Sequence, residues 1–158
     1  MRLKFTLVCL SIALLPGCGS SSPPRSGASP SAGTAVDACS VLPKTAVDAS
    51  FAEAFAQDHG SPPTATHCYS HGQVTEIVVD LETSGAAVAM RVYRDVHVSE
   101  VPLSGLGDEA YFEAAAADIE VRQGDRWFEI ALEKHKTLTP EELQAKLTEL
   151  AAAVLKMI

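Results

Sequence analysis

The sequence predicts an α+β domain, an antiparallel sheet of four to six strands with an N-terminal and a C-terminal helix packed on one face. Three observations support this prediction. Apolar residues recur at helical spacing after residue 43, alternate with polar residues in segments between residues 76 and 132, and return to a helical stripe from residue 143 onward. Turn-forming residues between the alternating segments favour hairpins, which pair their strands antiparallel.

The first element of the domain is predicted to be a helix. Pro43 suits a first helical turn, and Val47, Phe51 and Phe55 recur on one helical face. Gly60 and the prolines that follow it are expected to end this helix.

The middle of the chain is predicted to form two hairpins, because apolar residues there alternate with charged or small ones. The first hairpin has strands at Ile77–Leu81 and Val88–Val92 around Ser84-Gly85, and the second has strands at Ile119–Val121 and Phe128–Leu132 around Gly124-Asp125.

The last element is predicted to be a helix that begins with a capping box. Thr139 is followed by Pro140 at the first turn and by Glu142 three residues on, and Leu138 with Leu143 is placed to form a hydrophobic staple. The apolar stripe that this helix needs to bury consists of Leu143, Leu147, Leu150, Val154 and Ile158.

The N-terminus has the pattern of a lipoprotein signal peptide. Basic residues precede the apolar segment Phe5–Leu15, and Leu15-Pro16-Gly17-Cys18 looks like a lipobox. The apolar segment is shorter than the roughly 20 residues that a membrane-spanning helix needs. We therefore predict that residues 1–17 are removed and that Cys18 becomes the lipidated N-terminus. The alternative is a plain secretory signal in which Cys18 has no special role.

The remaining chain divides into a tether and one domain. Residues 18–37 contain the lipidated cysteine and a Ser/Pro/Gly-rich tether, and residues 38–158 form a single globular domain. Residues 1–17 hold two of the twelve Lys and Arg and none of the twenty Asp and Glu, so the exported chain is strongly acidic. This charge argues against nucleic acid as a partner and against a domain that lies flat on anionic lipid.

Two cysteines remain once the leader is removed and Cys18 is lipidated. Cys39 and Cys68 would then face an oxidising compartment, where a disulfide between them is the expected outcome. Two free thiols, or a metal site that adds His67 and His71, are the alternatives.

The sequence contains no catalytic or cofactor-binding motif, so we expect neither an enzyme nor a bound cofactor or metal. The histidines lack the spacing of metal ligands, and His67 and His71 would lie too far apart along one strand. Asp80 and Glu82 are expected on a solvated face of the sheet. The run Gly105–Phe112 reads as a turn that re-enters the sheet, although Asp108, Glu109 and Glu113 offer an alternative acidic site.

Tyr93 and Trp127 are the candidate binding surface. By strand alternation both fall on the face opposite the main apolar set, where exposed aromatic side chains commonly mark a binding patch. The alternative is that a loop or the segment 114–117 covers them.

The chain resembles a family of small bacterial lipoproteins, best known from actinobacteria, that carry a domain of unknown function. The resemblance rests on the lipobox, the tether, and three short segments of the domain. These segments are Ala38-Cys39-Ser40-Val41-Leu42, His67-Cys68-Tyr69, and Gly105–Phe112 with the hairpin Val121–Arg126 that follows it. The resemblance supports the disulfide and the fold, and it implies no catalytic residue.

The function expected from the sequence is that of a lipid-anchored, non-enzymatic binding or interaction module of the cell envelope. Its partners would be the membrane, through the N-terminal lipid, and an envelope protein, polymer or small ligand. The domain would lie on the extracytoplasmic side of the cell membrane or outer membrane. The alternatives are an accessory or regulatory subunit of an envelope complex, or an enzyme whose acidic site forms only in three dimensions.

Overall fold

The computed structural model describes residues 36–61, 63–97, 99–135 and 137–158. The predicted signal peptide, the predicted lipidation site Cys18 and almost all of the predicted tether lie outside the described residues. None of the helices in the described ranges has the length and apolarity needed to cross a bilayer.

Four helices and seven strands are present in the described part of the chain. The helices are α1 (Ala38–Val41), α2 (Lys44–Phe51), α3 (Ala86–Val96) and α4 (Pro140–Val154). The strands are β1 (Ala56–Asp58), β2 (His67–His71), β3 (Glu76–Glu82), β4 (Val101–Pro102), β5 (Glu109–Glu113), β6 (Asp118–Gln123) and β7 (Arg126–Lys134).

All the strands belong to one antiparallel sheet with the order β1-β2-β3-β7-β6-β5-β4. The predicted α+β class and antiparallel sheet are therefore confirmed. The predicted number of strands was too low, because the structure has seven rather than four to six. The edge strands β1 and β4 have only three and two residues, which is too short to leave an alternating pattern in the sequence.

The second predicted hairpin is confirmed. Strands β6 and β7 pair through the turn at Gly124-Asp125, with Gln123 opposite Arg126. The strand predicted at Ile77–Leu81 is confirmed as β3, but its hydrogen-bonded neighbours are β2 and β7.

The strand predicted at Val88–Val92 was wrong, because these residues lie in helix α3. Val88, Met90 and Val92 do not share one buried face, as a strand would require. Met90 is buried, whereas both valines are 56% exposed. Gly85 is the N-cap of the helix, in a left-handed conformation, and not part of a hairpin turn.

Helix α2 is shorter than the sequence predicted. It ends at Phe51, because Ala52 adopts a left-handed conformation with φ of 54°. Phe55 therefore lies outside the helix, where its backbone N–H donates to the Asp48 carboxylate at 3.0 Å. Its ring still reaches the core and is only 3% exposed, so the apolar spacing identified a buried residue but not its backbone conformation.

The capping box of α4 is confirmed. The Thr139 hydroxyl accepts from the Glu142 N–H at 3.2 Å, and the Glu142 carboxylate accepts from the Thr139 N–H at 2.9 Å. The stripe of this helix belongs to the hydrophobic core, together with residues of α1 and α2 and alternate residues of the sheet. The α4 members of the core are Leu143, Leu147, Leu150, Ala151 and Val154.

The predicted disulfide between Cys39 and Cys68 is confirmed. It joins α1 to β2, and Cys68 is fully buried. This bond excludes the alternative in which the two sulfurs are free thiols or metal ligands, because a disulfide sulfur does not supply a thiolate.

Candidate functional site

The connection from β3 to β4 places helix α3 across one face of the sheet. Strands β7, β6 and β5 separate β3 from β4, so the chain must cross about 19 Å at the usual strand spacing. Helix α3 has eleven residues and is about 16 Å long. It contacts β6 and β7 on the way, and it therefore covers residues that an open sheet would leave in water.

The two faces of the sheet differ sharply in chemistry, as the strand register shows. One row of directly paired residues is apolar and belongs to the core: Val79, Ile130, Ile119 and Phe112. The next residue along each strand points to the other face, and this second row consists of Asp80, Glu129, Glu120 and Tyr111. Three carboxylates are thus neighbours on adjacent strands.

Glu120 is the most deeply buried of these acids. Its residue is 1% exposed, and its Oε2 accepts a hydrogen bond from Trp127 Nε1 at 3.2 Å. Its Oε1 has no hydrogen-bond partner among the described residues. Burial raises the pKa of Glu120 to about 9, and the neighbouring charge of Glu129 adds to the effect against the opposing Trp127 hydrogen bond.

The other two acids of the row are also shifted. Burial, with the charges of Asp118 and Asp80, raises the pKa of Glu129 to about 7. Burial also raises the pKa of Asp80, partly offset by His67, whose Nε2 lies 2.9 Å from Asp80 Oδ1. The prediction that Asp80 faces solvent was therefore wrong in part, whereas Glu82 is exposed.

A second cluster lies beside this row, where the C-terminal end of α3 meets β5 and β6. Potential ligand atoms of His97, Glu113 and Asp118 all lie within 4.8 Å of one another. His97 Nδ1 is hydrogen-bonded to Glu113 Oε2. The Ser99 hydroxyl donates to the other Glu113 oxygen, and the Tyr93 hydroxyl donates to Asp118 Oδ2 at 2.6 Å.

The two carboxylates of this cluster are shifted in opposite directions. Hydrogen bonds from Ser99 and His97 lower the pKa of Glu113, whereas burial raises the pKa of Asp118 against the opposing Tyr93 hydrogen bond. Burial likewise raises the pKa of Glu100, whose electrostatic neighbours include all three residues of the cluster. Two neighbouring acids therefore have pKa values that are moved apart by their surroundings.

A cleft of about 620 Å³ opens beside this cluster, between α3 and the edge formed by β4 and β5. Its walls are formed by Arg91, Arg94, Asp95, His97, Glu100, Pro102 and Tyr111. Arg94 forms one wall, with its guanidinium 4.7 Å from the centre of the Tyr111 ring and 3.2 Å from Glu109 Oε1. Because His97 and Glu100 line the cleft, a solute in it would lie next to the cluster.

The structure places Tyr93 and Trp127 on the sheet face that α3 crosses. Tyr93 lies on the helix, and its ring stacks on His97 with 3.6 Å between ring centres. Trp127 lies on β7 and donates to Glu120. Both rings are partly buried, so they serve as hydrogen-bond donors to buried acids more than as an open aromatic patch.

The alternative acidic site at Asp108, Glu109 and Glu113 is split by the fold. Asp108 and Glu109 both pair with Arg122, at 3.3 Å in each case. Glu113 points instead to His97. Asp108 and Glu109 thus share one arginine, whereas Glu113 belongs to a different group of residues.

The contact of His97 with Glu113 and Asp118 was not predicted from the sequence. These residues are 16 and 21 positions apart along the chain, and no local spacing connects them. The only sequence signal was Glu113 as a member of an acidic group. A second ligand-like set in the described residues combines Asp37, Cys39 and His59, but Cys39 is in the disulfide.

Comparison with known proteins gives no family for this chain. No protein-family model, curated protein or solved structure matches it.

Proposed function

We propose that this protein is a lipid-anchored lipoprotein of the cell envelope whose domain is a non-enzymatic binding module. The anchor would be Cys18, and the domain would lie on the extracytoplasmic side. The cleft beside α3 carries the proposal, because it is a concave site that combines basic, acidic and aromatic side chains within reach of a ligand. The disulfide supports an oxidising compartment.

The arrangement of the helices supports the same site. We propose that α2 and α4 lie together on the apolar face of the sheet, as their shared core suggests. The opposite face, with α3 and the cleft, would then be the functional face. It also carries three exposed valines along α3, Val88, Val92 and Val96.

Two variants test the anchor. Cys18→Ser is expected to move the protein from the membrane fraction to the soluble extracytoplasmic fraction, because the thioether-linked lipid can no longer form. Cys9→Ser is the matched control, because this cysteine lies in the predicted leader and its loss should leave the membrane fraction unchanged. A Cys18→Ser protein that stays in the membrane at wild-type level would refute lipid anchoring.

Photo-crosslinking in the native envelope tests the cleft. A photoreactive residue in place of Arg91 is expected to capture a defined ligand or partner. The same residue in place of Glu149, which is exposed on α4, should not. Equal capture at both positions, or none at Arg91, would contradict a binding role for the cleft.

An accessory or regulatory subunit of an envelope complex is the second candidate. The exposed valines of α3 favour it, because an apolar stripe next to the cleft suits contact with a protein. One stoichiometric protein captured at Arg91 would support this candidate, whereas a captured small solute or polymer would support the binding module.

A further inference from the structure

We propose that the cluster at the cleft binds a divalent transition-metal cation through His97, Glu113 and Asp118. This inference rests on the proposed binding function and names its ligand class. The site would be formed by residues from the end of α3, from β5 and from β6. These elements converge because the β3 to β4 connection crosses the sheet.

The three side chains offer a suitable set of donor atoms. One imidazole nitrogen and one oxygen from each carboxylate lie within 4.8 Å of one another. Ligand atoms about 2.1 Å from a common ion are separated by roughly 3.4 Å in a tetrahedral site. The widest separation in the cluster would therefore have to shorten by about 1 Å. His97 Nδ1 and Glu113 Oε2, which are hydrogen-bonded to each other, would have to move apart and exchange that hydrogen bond for the ion.

Glu100 is a buried acid beside the cluster that has an unpartnered oxygen. Its side chain is only 7% exposed, and its Oε1 has no hydrogen-bond partner in the described residues. The charges of His97, Glu113 and Asp118 are all close enough to affect it. A buried carboxylate oxygen without a partner is costly, and the positive charge of a nearby cation would offset part of that cost.

The charges around the cluster favour a cation. Glu113 and Asp118 belong to it, and Glu100 lies close enough for their charges to act on it. Arg94 is the basic group on the cleft wall nearest to Glu100, with 4.0 Å between its Nε and Glu100 Oε2. Its guanidinium also contacts Glu109 and the Tyr111 ring, so its positive charge is shared with an acid outside the cluster.

Two hydroxyl groups hold the proposed ligands in place. Tyr93 donates to Asp118, and Ser99 donates to Glu113. The Tyr93 ring also stacks on the His97 imidazole. Metal-binding carboxylates and histidines are commonly oriented by such neighbours, so Tyr93 acts as a positioning residue for two of the three ligands.

The donor types select the class of ion. Imidazole suits zinc, copper, iron and nickel, whereas magnesium and calcium prefer oxygen donors alone. One histidine with two or three carboxylates therefore favours a first-row transition metal over the alkaline-earth ions. The set of Asp37, Cys39 and His59 lacks a thiolate because of the disulfide, which leaves only two usable ligands there.

Calorimetric titration of the metal-stripped full chain with Zn²⁺ tests the proposal. We expect one Zn²⁺ per chain, with binding that persists in 1 mM Mg²⁺. His97→Gln should weaken it at least about 100-fold, because a ligand is lost. His59→Gln is the matched control, since it removes a histidine from the other ligand-like set and should leave the affinity unchanged.

A second readout separates the site from a general effect on folding. Co²⁺ bound to wild-type protein should give visible absorption bands that are lost in His97→Gln, while far-ultraviolet circular dichroism stays the same. Tyr93→Phe should keep the bands but weaken binding roughly 10-fold, because Asp118 loses the hydroxyl that orients it.

Three results would overturn the metal site: no Zn²⁺ binding to the wild-type chain, equal binding by His97→Gln, or equal loss in His59→Gln. The crosslinking experiment at Arg91 uses no metal. A chain that fails to bind Zn²⁺ yet captures a ligand at Arg91 would therefore refute the metal site alone, and the proposed binding function would stand.

Discussion

Glu129 shows how a single buried acid makes stability depend on pH. Its carboxyl lies on the central strand β7 and has its pKa raised from 4.5 to about 7, chiefly by burial. Well below pH 4.5 the carboxyl is protonated in both the folded and the unfolded chain. Its ionisation then does not affect the free energy of unfolding. As the pH rises toward 7, the unfolded chain ionises first, and the folded state progressively loses stability relative to it.

We expect Glu129→Gln to remove this loss. The pKa difference corresponds to about 3 kcal/mol, so the variant should be up to that much more stable than wild type at pH 8 and nearly equal at pH 4. Urea unfolding at both pH values measures this. Glu149→Gln, at an exposed position of helix α4, is the control and should differ from wild type by the same amount at both pH values. No gain for Glu129→Gln at pH 8 would contradict the prediction.

Gly107 is required by a close approach of two backbones. It has φ of +62°, and a Cβ atom there would lie 2.5 Å from the Arg122 carbonyl oxygen. The Asp108 N–H donates to the same oxygen at 2.8 Å, so the turn is held against β6. This contact explains the second glycine of the Gly105–Phe112 run in structural terms.

Gly107→Ala is therefore expected to be more destabilising than Gly124→Ala. Gly124 also has φ of +62° but open space around the added Cβ, so both variants bear the cost of a left-handed alanine. Only Gly107→Ala adds the clash, which should cost a further 1 to 3 kcal/mol or so. Thermal unfolding measures the stability of both variants. Equal losses of stability would show that the turn can shift to admit a Cβ atom at residue 107 without an energetic penalty.

At the scale of elements, helix α4 was predicted accurately because its start signal is local. The capping box uses two hydrogen bonds between Thr139 and Glu142, which are three residues apart. Such a motif does not depend on the rest of the fold.

We expect Thr139→Ala to lower the free energy of unfolding by about 1 kcal/mol, since the first turn loses its side-chain acceptor. Thr137→Ala, two residues earlier at an exposed position, is the control and should have little effect. Urea unfolding measures both variants. Equal losses of unfolding free energy in the two variants would mean that the Thr139 cap does not stabilise the protein.

Helix α3 was mistaken for a strand because Val88, Met90 and Val92 alternate with small or polar residues, which also fits a period of two. Ala86 and Met90 are buried and Tyr93 is partly buried, whereas Val88 and Val92 face solvent. Helical spacing was also present in the sequence, because Ala86, Met90 and Tyr93 lie four and three residues apart, but this spacing was overlooked. The position of α3 depends on the order of the strands in the sheet, and the spacing of residues within one segment does not specify that order.

At the scale of the whole molecule, the disulfide joins the N-terminal helix to the sheet across 29 residues of sequence. Closing a loop of this length in the unfolded chain is worth about 3 to 4 kcal/mol by chain entropy. The domain should therefore depend strongly on an oxidising environment.

We expect the double variant Cys39→Ala/Cys68→Ala to be about 3 to 4 kcal/mol less stable than wild type in urea unfolding. Dithiothreitol should lower the melting temperature of the wild type and leave that of the double variant unchanged. A reductant effect of the same size on both proteins would contradict the disulfide as its cause.

The sequence by itself determined the features that neighbours along the chain specify. These are the alternating strands β3, β6 and β7 and the capped helix α4. The disulfide was also predictable, because Cys39 and Cys68 are the two cysteines within the domain. Only the tertiary structure decided what lies under α3. The sheet order forces the chain to cross over Glu120 and Glu129 and brings His97 to Glu113 and Asp118. Burial and contact between distant residues follow from strand order, which the period of a sequence does not encode.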